Sequence, residues 1–157
     1  MIQNCGKLNL GCGQELLKGY INIDNRAEVC PNVCCDIIRG LPFADNSIDY
    51  VRAHDFLEHI PLGQTVKVIE DVWRVLRHGG KFDSSTPDAE YGGAAFQDPY
   101  HLSFWVKNSW RYYSDDSLRS LYGIKAKFKI DNIVRVPELS PNMDIYHIQV
   151  MCTAIKE

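Results

Sequence analysis

Two glycines and an aspartate lie where they could bind a nucleoside. Gly11 and Gly13 follow a short apolar run, and small residues at such a turn let a ligand approach the backbone. Asp24 comes thirteen residues after Gly11, at the end of the next apolar run. A carboxylate there can accept hydrogen bonds from both hydroxyls of a ribose. The spacing therefore indicates a site for a ribose-bearing ligand.

A second acidic residue extends this pattern. Asp36 lies at the end of the third apolar run, directly before Ile37 and Ile38. Its carboxylate could accept an adenine amino proton in a hydrogen bond while the isoleucines flank the ring. Taken singly, glycines and aspartates at strand ends are ordinary turn residues. Three such ends in succession match the sheet edge at which doubly wound folds bind ligands.

The glycine turn argues against a dinucleotide. The dinucleotide-binding pattern would require a third glycine at position 16, where this chain has Leu16. A nicotinamide enzyme on a related sheet is therefore disfavoured.

Two histidines are candidates for a general base, because histidine titrates near neutral pH. His54 follows the fourth apolar run, and His101 lies in the motif "DPYH", in a loop after the fifth. That loop would project over the same sheet edge. We expect His101 to be catalytic or substrate-binding, with His54 as the second candidate.

Aromatic side chains are concentrated around His101. Nine of the 17 Phe, Trp and Tyr residues fall between positions 91 and 122. They either form the core of a small helical cap or line an acceptor pocket with flat apolar faces. On the second interpretation the acceptor contacts are Tyr91, Tyr100, His101 and Trp105.

The elements that must position these residues are short strands and one long helix. Apolar runs at 7–10, 20–23, 32–37, 48–53 and 81–85 predict strands. A stripe at helical spacing predicts a helix over 62–76, capped by Gly79 and Gly80. A second helix is predicted over 114–122, then an antiparallel pair at 128–136 and 146–154 joined by loop 137–142. This order predicts an α/β fold with a mostly parallel sheet.

Composition limits the kind of protein. The chain has 157 residues, of which 45% are hydrophobic, enough for one domain over 1–157. With 17 Lys and Arg against 20 Asp and Glu, nucleic acid is not an expected partner. No apolar run reaches the roughly 18 to 20 residues of a membrane span, and the first residues are too polar for a signal peptide. We expect a cytoplasmic protein without membrane contact.

The cysteines do not predict a metal site. Cys30, Cys34 and Cys35 are the only cluster, and the adjacent pair would point to opposite faces of a strand. We therefore interpret the six cysteines as reduced and expect no metal.

Four segments resemble the motifs of class I S-adenosylmethionine-dependent methyltransferases of type 11. They are "KLNLGCG", "GYINID", "CDIIRGLPFADNSIDYVRAHDFLEHIP" and "VWRVLRHGGKF", within residues 7–87. The resemblance implies a Rossmann-like fold with helices on both faces, a C-terminal antiparallel strand pair and S-adenosylmethionine as cofactor. It further implies that the cofactor contacts are Leu10, Gly11, Cys12, Gly13, Asp24, Asn25, Asp36, Ile37, Ala53 and His54.

The chain departs from this family at its beginning. Members usually have an extra N-terminal helix and a full helix after the first strand, whereas only residues 14–19 separate "LGCG" from Tyr20. One sheet face would be thinly covered, which favours a homodimer or a contact with another partner. We expect a methyltransferase for a small hydroxylated molecule, with the acceptor loop at about 87–122. The alternative is a cofactor-binding or regulatory subunit without turnover.

Overall fold

The computed structural model describes residues 6–138 and 145–156, which form one seven-stranded mixed sheet. Its strand order is β3-β2-β1-β4-β5-β7-β6. Neighbouring pairs from β3 to β5 are parallel, and β7 is antiparallel to both β5 and β6. The strands are β1 (Lys7–Leu10), β2 (Ile21–Asp24), β3 (Val33–Cys34), β4 (Ile48–His54), β5 (Leu76–Gly92), β6 (Phe128–Pro137) and β7 (Ile145–Ala154).

The predicted fold class is confirmed, and the strand boundaries differ most at β3, which is shorter than predicted, and at β5, which is longer. β3 has only two residues because Asp36 leaves the strand and caps a 3-10 helix, Ile37–Arg39. The β6–β7 pair is antiparallel, as predicted. Of the predicted connecting loop, residues 139–142 lie outside the described part of the chain.

Helix α1 spans Thr65–Val75, after a 3-10 turn at Leu62–Gln64. The predicted cap at Gly79 and Gly80 is wrong. Leu76 is already extended and pairs with Ile48, so the chain passes directly from the helix into β5. The other helices are α2 (Ala94–Gln97) and α3 (Asp116–Tyr122). None of the helices in the described ranges is long and apolar enough to cross a membrane.

The second predicted helix is confirmed together with its caps. The Asp115 carboxylate accepts hydrogen bonds from the backbone N–H groups of Ser117 and Leu118 at the start of α3. Gly123 ends the helix in the left-handed conformation, with φ of 66°.

A loop takes the place of the helix that would join β1 to β2. The side chains of two buried asparagines hold this loop. Nδ2 of Asn9 donates to the backbone carbonyl of Glu15 at 2.9 Å, and Oδ1 of Asn22 accepts from the backbone N–H of Leu17 at 2.9 Å. Asn9 also donates to Asn22 at 3.0 Å. Side-chain hydrogen bonds thus satisfy backbone groups that a helix would pair internally.

The hydrophobic core lies on one face of the sheet. Phe82 of β5 packs there against Trp110 and Phe128, and the apolar stripe of α1 belongs to the same cluster. Residues that point to the other face are polar, with Arg52 of β4 beside Asp83 of β5. Side chains alternate along a strand, so a single alternating pattern produces both faces. A homodimer through the polar face remains a prediction.

Candidate functional site

A cleft of about 620 Å³ runs along the C-terminal ends of β1, β2 and β4, and we call it the nucleoside cleft. The predicted residues that line it are Gly11, Asp24, Asn25, Asp36, Ile37 and Tyr100. The fold therefore brings together the glycine turn and both aspartates of the sequence pattern.

The glycine turn is closed by an aromatic ring. Gly11 has φ of +61°, a conformation that residues with a side chain rarely adopt. A methyl group added at Gly11 would come within 2.4 Å of Cδ2 of Phe56. Gly13 also has a positive φ, and its N–H donates to Oδ2 of Asp24 at 2.8 Å. The turn and the aspartate are thus one hydrogen-bonded unit.

Asp24 is held as a carboxylate at the end of β2. Its Oδ1 accepts from the backbone N–H of Arg26 at 3.0 Å and from Nε of the same residue at 3.2 Å. Burial opposes ionisation, but these hydrogen bonds and the one from Gly13 outweigh it and lower the pKa of Asp24. The Arg26 side chain is 55% exposed and can be displaced by a ribose.

At the other end of this cleft lie Asp36, Ile37 and Ile38. Oδ1 of Asp36 accepts from the Ile38 N–H at 3.1 Å, which orients the carboxylate, and Ile37 is buried. Cys35 lies beside them. A small apolar surface next to an oriented carboxylate fits a purine with an amino group.

A second cleft, of about 530 Å³, adjoins the first, and we call it the histidine cleft. Both clefts are lined by Asp55, His59 and Asp98, so a ligand in one can reach a ligand in the other. The histidine cleft is also lined by His54, Glu58, His101 and His147.

His54 belongs to a hydrogen-bonded chain across the polar face. Its Nε2 lies 2.9 Å from Oδ1 of Asp83, and the Tyr50 hydroxyl donates to Oδ2 of Asp83 at 2.7 Å. Burial opposes ionisation of Asp83, but the hydrogen bonds from His54 and Tyr50 outweigh it and lower the pKa. A carboxylate on Nε2 favours the tautomer with its proton there, which leaves Nδ1 as a base.

His147 and Asp55 form a second pair. His147 Nε2 lies 3.1 Å from Oδ1 of Asp55, and this contact raises the pKa of His147 and lowers that of Asp55. Asp55 has φ of 48°, which is uncommon for a residue with a side chain. Strain of this kind concentrates at functional sites.

His101 lies in the histidine cleft beside His59. The two rings are 5.0 Å apart at an angle of 73°. His101 Nδ1 lies 3.0 Å from the Ala95 carbonyl, and His59 Nδ1 lies 3.2 Å from the Tyr100 carbonyl. The loop that carries His101 therefore folds back over the end of β4.

The remaining predicted residues lie elsewhere. Leu10, Cys12 and Ala53 are buried beneath the turn. Trp105 is in the hydrophobic core and its Nε1 donates to Ser103, while Tyr91 packs on Tyr146 and lines neither cleft. Trp105 is buried because the chain enters the core after His101, whereas Tyr91 lies earlier, near the end of β5, and is half exposed.

Several cleft residues were not predicted from the sequence. Phe56, Glu58 and His59 all lie in the segment "HDFLEH", of which only His54 was a predicted site residue. His147 was assigned to an alternating strand. The pattern that could have revealed the residues of "HDFLEH" is an acid or histidine at four of its six positions, beginning at the last residue of β4.

The sequence profile of the type 11 methyltransferase domain family matches residues 13–82. No curated protein matches the sequence significantly. A solved structure of a SAM-dependent methyltransferase from Archaeoglobus fulgidus is 16% identical with a TM-score of 0.65, over 92% of this chain and 85% of that one. Residues 13–82 thus resemble a type 11 methyltransferase domain, and the fold is similar to that of a solved SAM-dependent methyltransferase.

Two further structures show the range of chemistry on this fold. A Burkholderia thailandensis 1,6-didemethyltoxoflavin-N1-methyltransferase, solved with S-adenosylhomocysteine, is 13% identical with a TM-score of 0.65, over 96% of this chain and 71% of that one. The 4+2 cyclase SpnF is 15% identical with the same TM-score, over 96% and 75%. The fold therefore does not determine the reaction, and the acceptor must be argued from the cleft.

Proposed function

We propose that this protein is a cytoplasmic enzyme that transfers a methyl group from S-adenosylmethionine to a hydroxyl or amine of a small molecule of sugar or natural-product type. The observation that supports this most directly is the junction of the two clefts. A nucleoside cleft with an ionised Asp24 meets a cleft lined by four histidines, and Asp55, His59 and Asp98 line both.

The nucleoside cleft fits the cofactor of this class. Asp24 would hold the ribose hydroxyls in place of the Arg26 side chain, and Ile37 and Ile38 would flank the adenine. Gly11 leaves the methionine part free to pass the turn, because any side chain there would collide with Phe56. When bound, S-adenosylmethionine supplies a methyl group on a positively charged sulfur.

His54 is the proposed base. With Nε2 bonded to Asp83, its Nδ1 can take the proton of an acceptor hydroxyl or ammonium, and the carboxylate stabilises the resulting imidazolium. Such proton transfer contributes typically about 10² to 10⁴-fold to a rate. His101 and Tyr100 are the proposed acceptor contacts from the loop above.

Two measurements test the function. Calorimetry with S-adenosylhomocysteine should show binding at one site, and methyl-labelled S-adenosylmethionine incubated with the small-molecule fraction of a cell extract should yield a labelled product. Absence of cofactor binding would refute the proposal. Binding without any labelled product would instead favour the cofactor-binding subunit without turnover.

The role of His54 is tested on that labelled product. His54→Gln should lower kcat by about 10² to 10⁴-fold and leave S-adenosylhomocysteine affinity unchanged. The matched control is His78→Gln, since Nδ1 of His78 accepts a hydrogen bond from the Lys156 backbone, away from both clefts. Equal kcat in the two variants would remove His54 from the mechanism.

A further inference from the structure

Three side chains with metal-binding atoms converge at the junction of the two clefts. One ligand atom each from Glu58, His59 and His101 lies within 4.8 Å of the other two. No other group of three His, Cys, Asp or Glu residues within 6–138 and 145–156 meets that condition. We infer that these residues bind a divalent transition-metal ion of the zinc class.

Both histidines are oriented as metal ligands usually are. A ligating histidine donates its second ring N–H to a carbonyl or carboxylate, which fixes the tautomer and turns the other nitrogen to the metal. Nδ1 of His59 has the Tyr100 carbonyl at 3.2 Å, and Nδ1 of His101 has the Ala95 carbonyl at 3.0 Å. Both Nε2 atoms are then left with a lone pair.

Glu58 supplies an independent indication of a missing cation. The residue is 2% exposed, and its Oε2 has no hydrogen-bond partner among the described residues. A buried carboxylate oxygen without a partner is costly, so such groups are normally paired or bound to a metal. A cation beside Glu58 would supply the missing partner.

The convergence is held by the backbone. The Glu58 carbonyl accepts from the N–H groups of Leu102 and Ser103 at 2.7 and 3.0 Å, and the Ser103 hydroxyl donates to the Leu57 carbonyl at 2.9 Å. These bonds attach the loop with His101 to the 3-10 turn with Glu58 and His59. Residues 43 positions apart in sequence are thereby fixed side by side.

Two histidines and one glutamate form a known type of zinc site. Catalytic zinc has three protein ligands at about 2.0 to 2.2 Å and one open position, so its ligand atoms are about 3.3 Å apart. Side-chain rotations that move each ligand atom by roughly 1 Å would bring the three atoms to that spacing. Asp98 Oδ2 lies 3.6 Å from Nε2 of His101 and adds negative charge.

The ion would act on the acceptor. All three ligands line the histidine cleft, where the proposed acceptor lies. A hydroxyl oxygen in the open position would be held in place and would lose its proton more readily. This catalytic role rests on the proposed function, whereas binding of the ion does not.

The test is a titration of the chelator-treated full chain with Co²⁺, followed by absorption spectroscopy and by calorimetry with Zn²⁺. We expect one equivalent to bind, with visible bands of a nitrogen and oxygen site and no sulfur-to-cobalt charge transfer. His101→Ala and Glu58→Gln should each weaken binding by at least about 100-fold, since even the loss of a residue supporting a ligand costs 10 to 100-fold. His78→Ala should bind like the wild type.

Glu58→Gln keeps the inference testable if His101→Ala fails to fold. This variant keeps the volume and replaces a buried carboxyl group, whose Oε2 has no hydrogen-bond partner, by a neutral amide, so the metal-free protein should unfold at a temperature close to that of the wild type. Zn²⁺ should raise the unfolding temperature of the wild type only.

Cobalt spectra with thiolate bands, or equal affinity in wild type and Glu58→Gln, would overturn the site. A labelled methyl product that forms equally with chelator present would overturn the catalytic role and leave the proposed function intact. Metal binding without any labelled product would support the site alone.

Discussion

Replacing Asp24 by asparagine should weaken S-adenosylhomocysteine binding by at least about 30-fold. In the free protein Asp24 accepts three hydrogen bonds, two from Arg26 and one from Gly13. Two ribose hydroxyls would replace the Arg26 guanidinium, and each hydrogen bond to a charged group contributes about 1.5–3 kcal/mol. The exposed ion pair that is lost offsets at most about 1 kcal/mol. The net loss is therefore at least about 2 kcal/mol, and about 1.4 kcal/mol corresponds to a tenfold change in affinity.

The measurement is isothermal titration calorimetry with S-adenosylhomocysteine on wild type, Asp24→Asn and a control. Asp45→Asn is the matched control, because Asp45 is a 67% exposed carboxylate that also pairs with an arginine, Arg74, but lies outside the nucleoside cleft. Thermal unfolding of all three checks that the fold is intact. The control should bind like the wild type.

Arg26→Ala should not weaken S-adenosylhomocysteine binding, in contrast to Asp24→Asn. Removal of the competing guanidinium should leave affinity unchanged or raise it by up to about fivefold, the value of an exposed ion pair. If folded Asp24→Asn binds within threefold of the wild type, the ribose does not contact this carboxylate and the assignment of the nucleoside cleft is refuted.

Three further changes test the fold around the site. Gly11→Ala should lower both cofactor affinity and stability, because the added methyl would meet Phe56 at 2.4 Å; calorimetry and thermal unfolding measure this, and a neutral effect would contradict it. Trp110→Ala should lower the free energy of unfolding by about 3–5 kcal/mol in a urea titration, because the side chain is 1% exposed. The pKa of Asp83 is lower in the folded protein than in the unfolded chain, where it is about 3.9. The ionised carboxylate therefore stabilises the fold at pH values above about 3.9, and this contribution disappears as the pH falls through the pKa of the folded state. The stability difference between wild type and Asp83→Asn should therefore persist at pH 5 and shrink below about pH 4, and a difference unchanged at pH 2 would contradict this.

The nucleoside cleft could be predicted from sequence because its residues follow local rules. Gly11 directly follows β1, Asp24 ends β2 and Asp36 lies two residues after β3, and the carboxyl ends of parallel neighbours lie at one edge. Short, right-handed connections between successive parallel strands are enough to place β1, β2 and β3 side by side. No long-range contact had to be known for these three positions to be placed together.

The histidine cleft could not be predicted in the same way. Its side chains come from β4, the turn after it, the loop with His101 and β7, and their meeting depends on how these segments pack. The sequence predicted neither the contact of His101 with His59 nor the pairing of His147 with Asp55. The sequence also indicated no metal site, because His101 lies 43 positions from Glu58.

The sequence by itself determined the class of fold, the carboxylate at the end of β2 and the positive-φ glycine turn, since these depend on residue type and on spacing within one or two elements. Only the tertiary structure showed that Trp105 belongs to the core, that His54 has a carboxylate partner and that Glu58 is buried beside two histidines. The physical reason is that burial and hydrogen-bond partners belong to pairs of distant segments. A side chain's chemistry is set by those partners as much as by its own type.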